Sequence, residues 1–231
     1  MLTLPDIALL FAHHGAEQYT GEPVTHLEHA LQTAHLAEQA GADDALVAAC
    51  LLHDLGHLRH DERAGPHDTH DAHDTPTLRG VDDVHQYLAL PFLRGLLPDA
   101  ALDAIKLHVD AKRYLCHAVP GYHARLSDDS KRSLILQGGV FDAAQAQAFI
   151  AQPGAHDAVR LRQLDDVAKQ ASLRTPPLAH FLSRAERCLL SAAPAGHRAV
   201  DGAHAHAHAH AHAHARAHAR AQPGGFKLPQ A

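Results

Sequence analysis

The stretch Asp43–His57, DDALVAACLLHDLGH, opens on two acidic residues suited to capping a helix and is then apolar almost all round. A helix with no polar face is a buried helix. His53 and Asp54 therefore sit, by this reading, in the middle of a buried helix. Two such polar groups are costly to leave unsatisfied there. A metal ion repays that cost, because neutral imidazole and carboxylate are both good ligands for iron, manganese or zinc. An aspartate can also use both oxygens and bridge two metals.

Working outward, Leu27, Ala30, Leu31, Ala34 and Ala37 follow helix spacing. Further helical stretches are expected at about 82–90, 99–112, 127–136, 142–151, 155–169 and 176–191. No run reads as a convincing strand, so the fold class is all-α. Pro-Gly, Gly-Gly and Pro-Pro pairs at 120–121, 138–139 and 176–177 punctuate the pattern. Residues 59–80, RHDERAGPHDTHDAHDTPTLRG, are polar and aperiodic, and read as a long surface loop. Residues 1–200 form the expected domain. Residues 201–231 are expected to be a disordered tail in which Ala alternates with His. Its seven histidines (204, 206, 208, 210, 212, 214 and 218) are suited to loose binding of transition metals, or to no specific role at all.

Composition narrows the function. The chain has 231 residues, with 20 Lys and Arg against 26 Asp and Glu, a net charge of −6. That balance makes no strong cationic field, which argues against nucleic acid or an anionic membrane as partner. No run of about 18 apolar residues exists to span a bilayer, and the N-terminus has no basic region of the signal-peptide kind. Cys50, Cys116 and Cys188 are odd in number and scattered, which excludes a disulfide framework and a cysteine zinc site. They suit a reducing cytoplasm. Aromatic residues are 4% and Trp is absent, so aliphatic side chains must fill the core.

Candidate partners for His53 and Asp54 lie along the chain. His29 falls in the preceding helical stretch, His85 opens a helix after the loop, His108 sits in AIKLHVDAKRYL, and Asp165 sits in RLRQLDDVAKQ. Four His and two Asp suit two metals in the core of a helical bundle, where facing helices supply inward ligands. His26, His35, His57 and His123 compete for the same roles, as Asp166 competes with Asp165. Either acid also fits a solvated helix face.

With these residues assembled, the chain resembles the HD-domain superfamily. It is most similar to the HD-domain mixed-valent di-iron oxygenases of phosphonate breakdown, the 2-amino-1-hydroxyethylphosphonate dioxygenases among them. The resemblance is carried by Tyr19-Thr20-Gly21-Glu22, Leu27-Glu28-His29, the HDLGH motif and His108-Val109-Asp110-Ala111-Lys112-Arg113-Tyr114-Leu115. It continues through Leu126-Ser127-Asp128-Asp129-Ser130 and Leu136-Gln137-Gly138-Gly139. These motifs run in order from about residue 8 to 190.

The resemblance implies an all-α HD-domain bundle around a buried dinuclear site of mixed-valent iron, Fe(II)/Fe(III), with manganese or another divalent metal as the alternative. It implies that His29, His53, Asp54 and Asp165 bind one iron, and that Asp54 bridges to a second held also by His85 and His108. Tyr19 would occupy a position on that second iron until substrate arrives. Glu22 would meet a substrate ammonium, and His57, Lys112, Ser130 and Gln137 would surround a phosphonate. Lys112 lies four residues after His108 and so shares its helical face. The implied reaction takes a small phosphonate and O2, cleaves the carbon–phosphorus bond, and releases phosphate with glycine or an N-methylated glycine. A metal-dependent phosphohydrolase of a nucleotide or small phosphate ester is the rival reading. A non-catalytic, His-rich metal store is a third. The loop before His85 is about ten residues longer than the family pattern, and Pro91 interrupts the helix expected around residue 90.

Overall fold

The computed structural model describes residues 1–19, 21–58 and 77–192. The Ala/His-rich tail expected over 201–231 and most of the 59–80 segment lie outside the described residues. Among the described residues there are twelve helices and no strand. They are α1 (Leu4–His14), α2 (His26–Gln39), α3 (Asp44–Leu52), α4 (Leu55–Leu58), α5 (His85–Leu88) and α6 (Leu90–Leu93). They continue as α7 (Asp99–Ala118), α8 (Tyr122–Arg125), α9 (Asp128–Leu136), α10 (Ala143–Ile150), α11 (Ala155–Val167) and α12 (Leu178–Ala192).

Local chemistry sets the helix starts. Thr3 and Asp6 close a capping box on α1, and Thr25 and Glu28 close another on α2. Asp43 accepts from the Leu46 N–H at the head of α3, and Ser127 caps α9. α1 was not among the expected stretches; its capping box was the available signal.

The central helix is α3, on which α2, α7, α11 and α12 pack. Seven of its nine residues, Leu46 to Leu52, are buried. Leu51, Leu52, Leu55, Ile105, Leu161 and Phe181 form the middle of the main core with side chains fully enclosed. On α12 the contact comes from Phe181, Ala185 and Cys188, spaced to fall on one helical face. Smaller apolar clusters around Phe149 and around Leu134 tie α10 and α9 to α7.

Three boundaries differ from the sequence-based expectation. His53 and Asp54 do not lie mid-helix. α3 stops at Leu52 with His53 as its C-cap, and α4 begins at Leu55. The His53 ring takes the Cys50 carbonyl through Nδ1 at 2.9 Å, which satisfies one of the acceptors a helix end leaves open. The helix expected over 82–90 forms only from His85 and divides at Ala89, with Pro91 at the start of α6. α7, by contrast, runs on to Ala118 because Leu115 continues its buried face. No described helix is long and apolar enough to cross a membrane.

Candidate metal centre

Six side chains from five elements converge beside α3. His29 comes from α2, His53 and Asp54 from the α3–α4 turn, His85 from the first position of α5, His108 from α7 and Asp165 from α11. His29, His53, His108 and Asp165 are buried to 2% exposure or less. His29, His53 and Asp165 form one group of potential ligands, and Asp54, His85 and His108 a second.

Hydrogen bonds behind the rings set their tautomers. Nδ1 of His29, His53 and His108 lies 2.8, 2.9 and 2.6 Å from the carbonyls of Ala168, Cys50 and Ile105. Nδ1 of His85 lies 2.8 Å from Asp83 Oδ1. A carbonyl or carboxylate oxygen only accepts, so each Nδ1 carries the proton. Burial holds His53 and His108 below the usual imidazole range, so these rings are neutral. Their Nε2 atoms then present bare lone pairs.

The Nε2 atoms of the four rings meet in two pairs. His29 Nε2 is 3.3 Å from His53 Nε2, and His85 Nε2 is 3.1 Å from His108 Nε2. Asp165 Oδ1 is buried 3.3 Å from His29 Nε2 and has no hydrogen-bond donor. Opposed acceptors without a proton between them repel unless a cation lies among them. Asp54 spans the two groups. Its Oδ2 is 3.6 and 3.4 Å from Nε2 of His29 and His53, and its Oδ1 is 3.4 and 3.8 Å from Nε2 of His85 and His108. Burial opposes ionisation of Asp54, yet His53, His57 and His85 around it hold the carboxyl well below the usual range. All-N/O donors in two sets sharing a carboxylate fit a pair of divalent or trivalent first-row metal ions.

The competing residues sort by geometry. Asp166 accepts from the Tyr122 hydroxyl and from Arg162, away from the histidines. His35 pairs with Gln39 on the same helix, and His123 is exposed. His26 packs edge-on to Tyr19, and burial lowers it to about 4. Tyr19 stacks on His29 at 4.2 Å, and its hydroxyl donates to Asp54 Oδ2 at 2.7 Å. That is the carboxylate oxygen nearer His29 and His53, whereas the expectation put the phenol on the His85 and His108 side. Burial and the Asp54 charge raise the phenol well above its usual range, so it stays protonated.

Next to these groups lies a cavity of about 50 Å³ lined by His57, Asp83, His85, Lys112, Ser133 and Gln137 among others. Burial pulls Lys112 down to about 7, and its ammonium donates to Ser133 Oγ at 2.7 Å. Gln137 Oε1 is buried without a partner. His57 Nδ1 meets Asp83 Oδ2 at 3.0 Å; burial acts against its charge, but Asp83 and Asp54 raise it to about 9. Two expected residues stand elsewhere. Ser130 Oγ faces Arg162 at 3.4 Å, because the next turn of α9 turns Ser133 to Lys112 instead. Glu22 is bonded to Lys169.

Asp83 and Arg162 are site residues that the sequence reading missed. Asp83 uses one oxygen on His57 and the other on His85. Val84, between Asp83 and His85, is held at φ 47°, a conformation costly for a β-branched residue and sustained by its surroundings. Buried Arg162 pairs with Asp165 at 2.8 Å and with Asp166. Their positions two residues before His85 and three before Asp165 were the only sequence cues.

Comparison with known proteins accords with this geometry. The HD domain family matches residues 26–137. A [1-hydroxy-2-(trimethylamino)ethyl]phosphonate dioxygenase (glycine-betaine-forming) of Leisingera caerulea is 36% identical over 178 residues, covering 77% of this chain and 86% of the relative. A hydroxymethylphosphonate dioxygenase of Gimesia maris is 39% identical over 181 residues, covering 78% and 85%. The chain belongs to the HD-domain phosphonate dioxygenases. In this phosphonate dioxygenase the HD match ends before Asp165 and begins after Tyr19 and Glu22, so the centre draws on residues from both flanks.

Proposed function

We propose that the protein is an iron dioxygenase that cleaves the carbon–phosphorus bond of a small 1-hydroxyalkylphosphonate. Overall, R–CH(OH)–PO3 as the dianion plus O2 gives R–COO⁻, HPO4 as the dianion and one proton. The four electrons that O2 takes come from the C–H bond and the C–P bond of the hydroxyl-bearing carbon. One oxygen atom ends on carbon and one on phosphorus.

His29, His53, Asp165 and Asp54 Oδ2 would hold one iron, and Asp54 Oδ1, His85 and His108 the other. The observation that carries this reading is the two pairs of facing imidazole Nε2 atoms with one carboxylate between them, beside a lysine-lined cavity. A bound iron pair supplies O2 activation and the redox equivalents. The chain's own residues do the rest. Lys112 offers a charge to the phosphonate and Gln137 an amide, both inside a small cavity where such contacts are strong. Cationic His57 adds a second positive group on the same wall. Tyr19 keeps its proton on Asp54 and covers the centre until substrate displaces it. The narrower assignment, a 2-amino substituent leaving as glycine, rests on Glu22 alone. The odd number and scattered positions of Cys50, Cys116 and Cys188 support work in the reducing cytoplasm.

The test is phosphate release from hydroxymethylphosphonate and from 2-amino-1-hydroxyethylphosphonate by iron-loaded protein, with and without O2. Release that needs O2 supports the oxygenase. O2-independent release from phosphate esters with manganese would overturn it in favour of a hydrolase.

A further inference from the structure

Glu22 Oε1 accepts a hydrogen bond from Lys169 Nζ at 2.8 Å, and the two side chains are only 11% and 12% exposed. The pair stands against the site. Lys169 Nζ lies 5.6 Å from the centroid of the Tyr19 ring, whose hydroxyl is on Asp54.

Both partners project from pinned backbone. The Ala168 carbonyl takes the His29 Nδ1 proton, and Gln170 exchanges two hydrogen bonds with the Gln32 side chain, at 2.9 and 3.0 Å. Lys169 sits between these anchors. On the other side the Glu22 N–H donates to the Tyr19 carbonyl at 2.9 Å, closing a turn through Gly21 at φ 68°. The lysine is therefore a built neighbour of the glutamate. The consequence is electrostatic: the Glu22 carboxylate, on the Tyr19 side of the centre, already has its counter-cation. A substrate ammonium or trimethylammonium beside Glu22 would bring a second positive charge against Lys169 in a partly dry site, where like charges repel more than in water. A substituent without charge meets no such repulsion.

Resting on the dioxygenase reading, we propose that Lys169 is a specificity residue that occupies Glu22 and sets the site for 1-hydroxyphosphonates lacking a cationic group on the neighbouring carbon.

The experiment uses the full iron-loaded chain, wild type, Lys169→Met and Lys169→Arg. It reads kcat/KM with O2, and Kd under anaerobic conditions, for hydroxymethylphosphonate and 2-amino-1-hydroxyethylphosphonate. The wild type is expected to favour hydroxymethylphosphonate by at least about tenfold in both readouts. Lys169→Met should shift the ratio toward the amino substrate by about tenfold or more, and Lys169→Arg should keep the wild-type ratio. Wild-type preference for the amino substrate, or a Lys169→Met variant that weakens both alike, overturns the proposal. Anaerobic selectivity without O2-dependent phosphate release would overturn the dioxygenase reading and leave the role of Lys169 standing. Failure of the wild type to bind either phosphonate would overturn both.

Discussion

Gly56 lies so close to His85 that a Cβ built on it would stand 2.2 Å from the His85 carbonyl oxygen and 2.9 Å from its carbon. The obstructing atoms are backbone and cannot rotate aside. The absence of a side chain at the fourth position of HDLGH is thus what lets α4 and α5 meet and brings His85 to Asp54 and His108. Gly56→Ala should displace His85 and lower the content of bound metal from two ions toward one per chain, since His29, His53 and Asp165 stand on other elements. Metal analysis of the purified variant decides. Two tightly held metal ions would mean that α5 is free to shift without moving the ring.

Asp83 should matter through the two rings it touches. Asp83→Asn removes the charge that His57 faces and offers an amide where His85 Nδ1 needs an acceptor. Partners behind metal ligands typically contribute 10–100-fold in affinity or activity. A fall in kcat/KM of about that size is expected, with weaker retention of one metal ion against a chelator. An unchanged chelation profile together with an unchanged rate would refute the role.

Asp54 differs from the other candidate ligands because its two oxygens face different histidine pairs. Asp54→Ala should therefore lose both metal ions, whereas His108→Ala should retain one. If the Asp54→Ala chain keeps a single stoichiometric metal ion, the carboxylate is not shared.

Much of the centre was legible because His29, His108 and Asp165 are polar residues on the buried faces of α2, α7 and α11, and His53 and Asp54 directly follow the apolar run of α3. A buried His at the fifth place of AIKLHVDAKRYL or an Asp in RLRQLDDVAKQ needs a reason to be there. What was not legible depends on chain turns and long-range contact. The end of α3 at Leu52 follows from a ring reaching back to Cys50, which periodicity does not encode. Asp83 is hidden in a polar run beside Asp82. The Lys169–Glu22 contact joins residues 147 positions apart, and neither residue lies on a patterned apolar face that would have exposed it.

Lys112 gives the site a pH dependence of defined sign. Burial favours its neutral form and brings it to about 7, so below that pH the free protein presents an ammonium to the phosphonate dianion. Above it, each binding event must take up a proton, and affinity should fall by up to about tenfold per pH unit. For folding the sign is opposite: the unfolded lysine binds the extra proton between about pH 7 and 10, so Lys112 makes stability rise with pH across that window. Anaerobic Kd measured from pH 6 to 9 should climb in the wild type and flatten in Lys112→Met. Parallel curves for the two proteins would remove Lys112 from phosphonate binding.

The attachment of α12 to the rest of the fold separates apolar burial from surface charge. Asp44, at the head of α3, faces Arg184 at 2.6 Å and Arg187 at 2.9 Å, and the Arg187 hydrogen bond is the main cause of its lowered pKa. That contribution is present above about pH 4 and is lost as pH falls through the lowered value. The arginines are solvent-accessible, Arg187 nearly half so, and such pairs are worth at most about 1 kcal/mol. Phe181, on the inner face of the same helix, is fully enclosed against the core, and its truncation should cost about 3–5 kcal/mol. At about 2–4 °C per kcal/mol for a domain of this size, Phe181→Ala should lower the Tm of metal-free protein by about 10 °C, and Asp44→Asn by about 2 °C. Thermal unfolding of the two variants at pH 7 measures the ratio. Equal shifts would mean that the arginine pairs contribute as much as the buried ring to holding α12 in place.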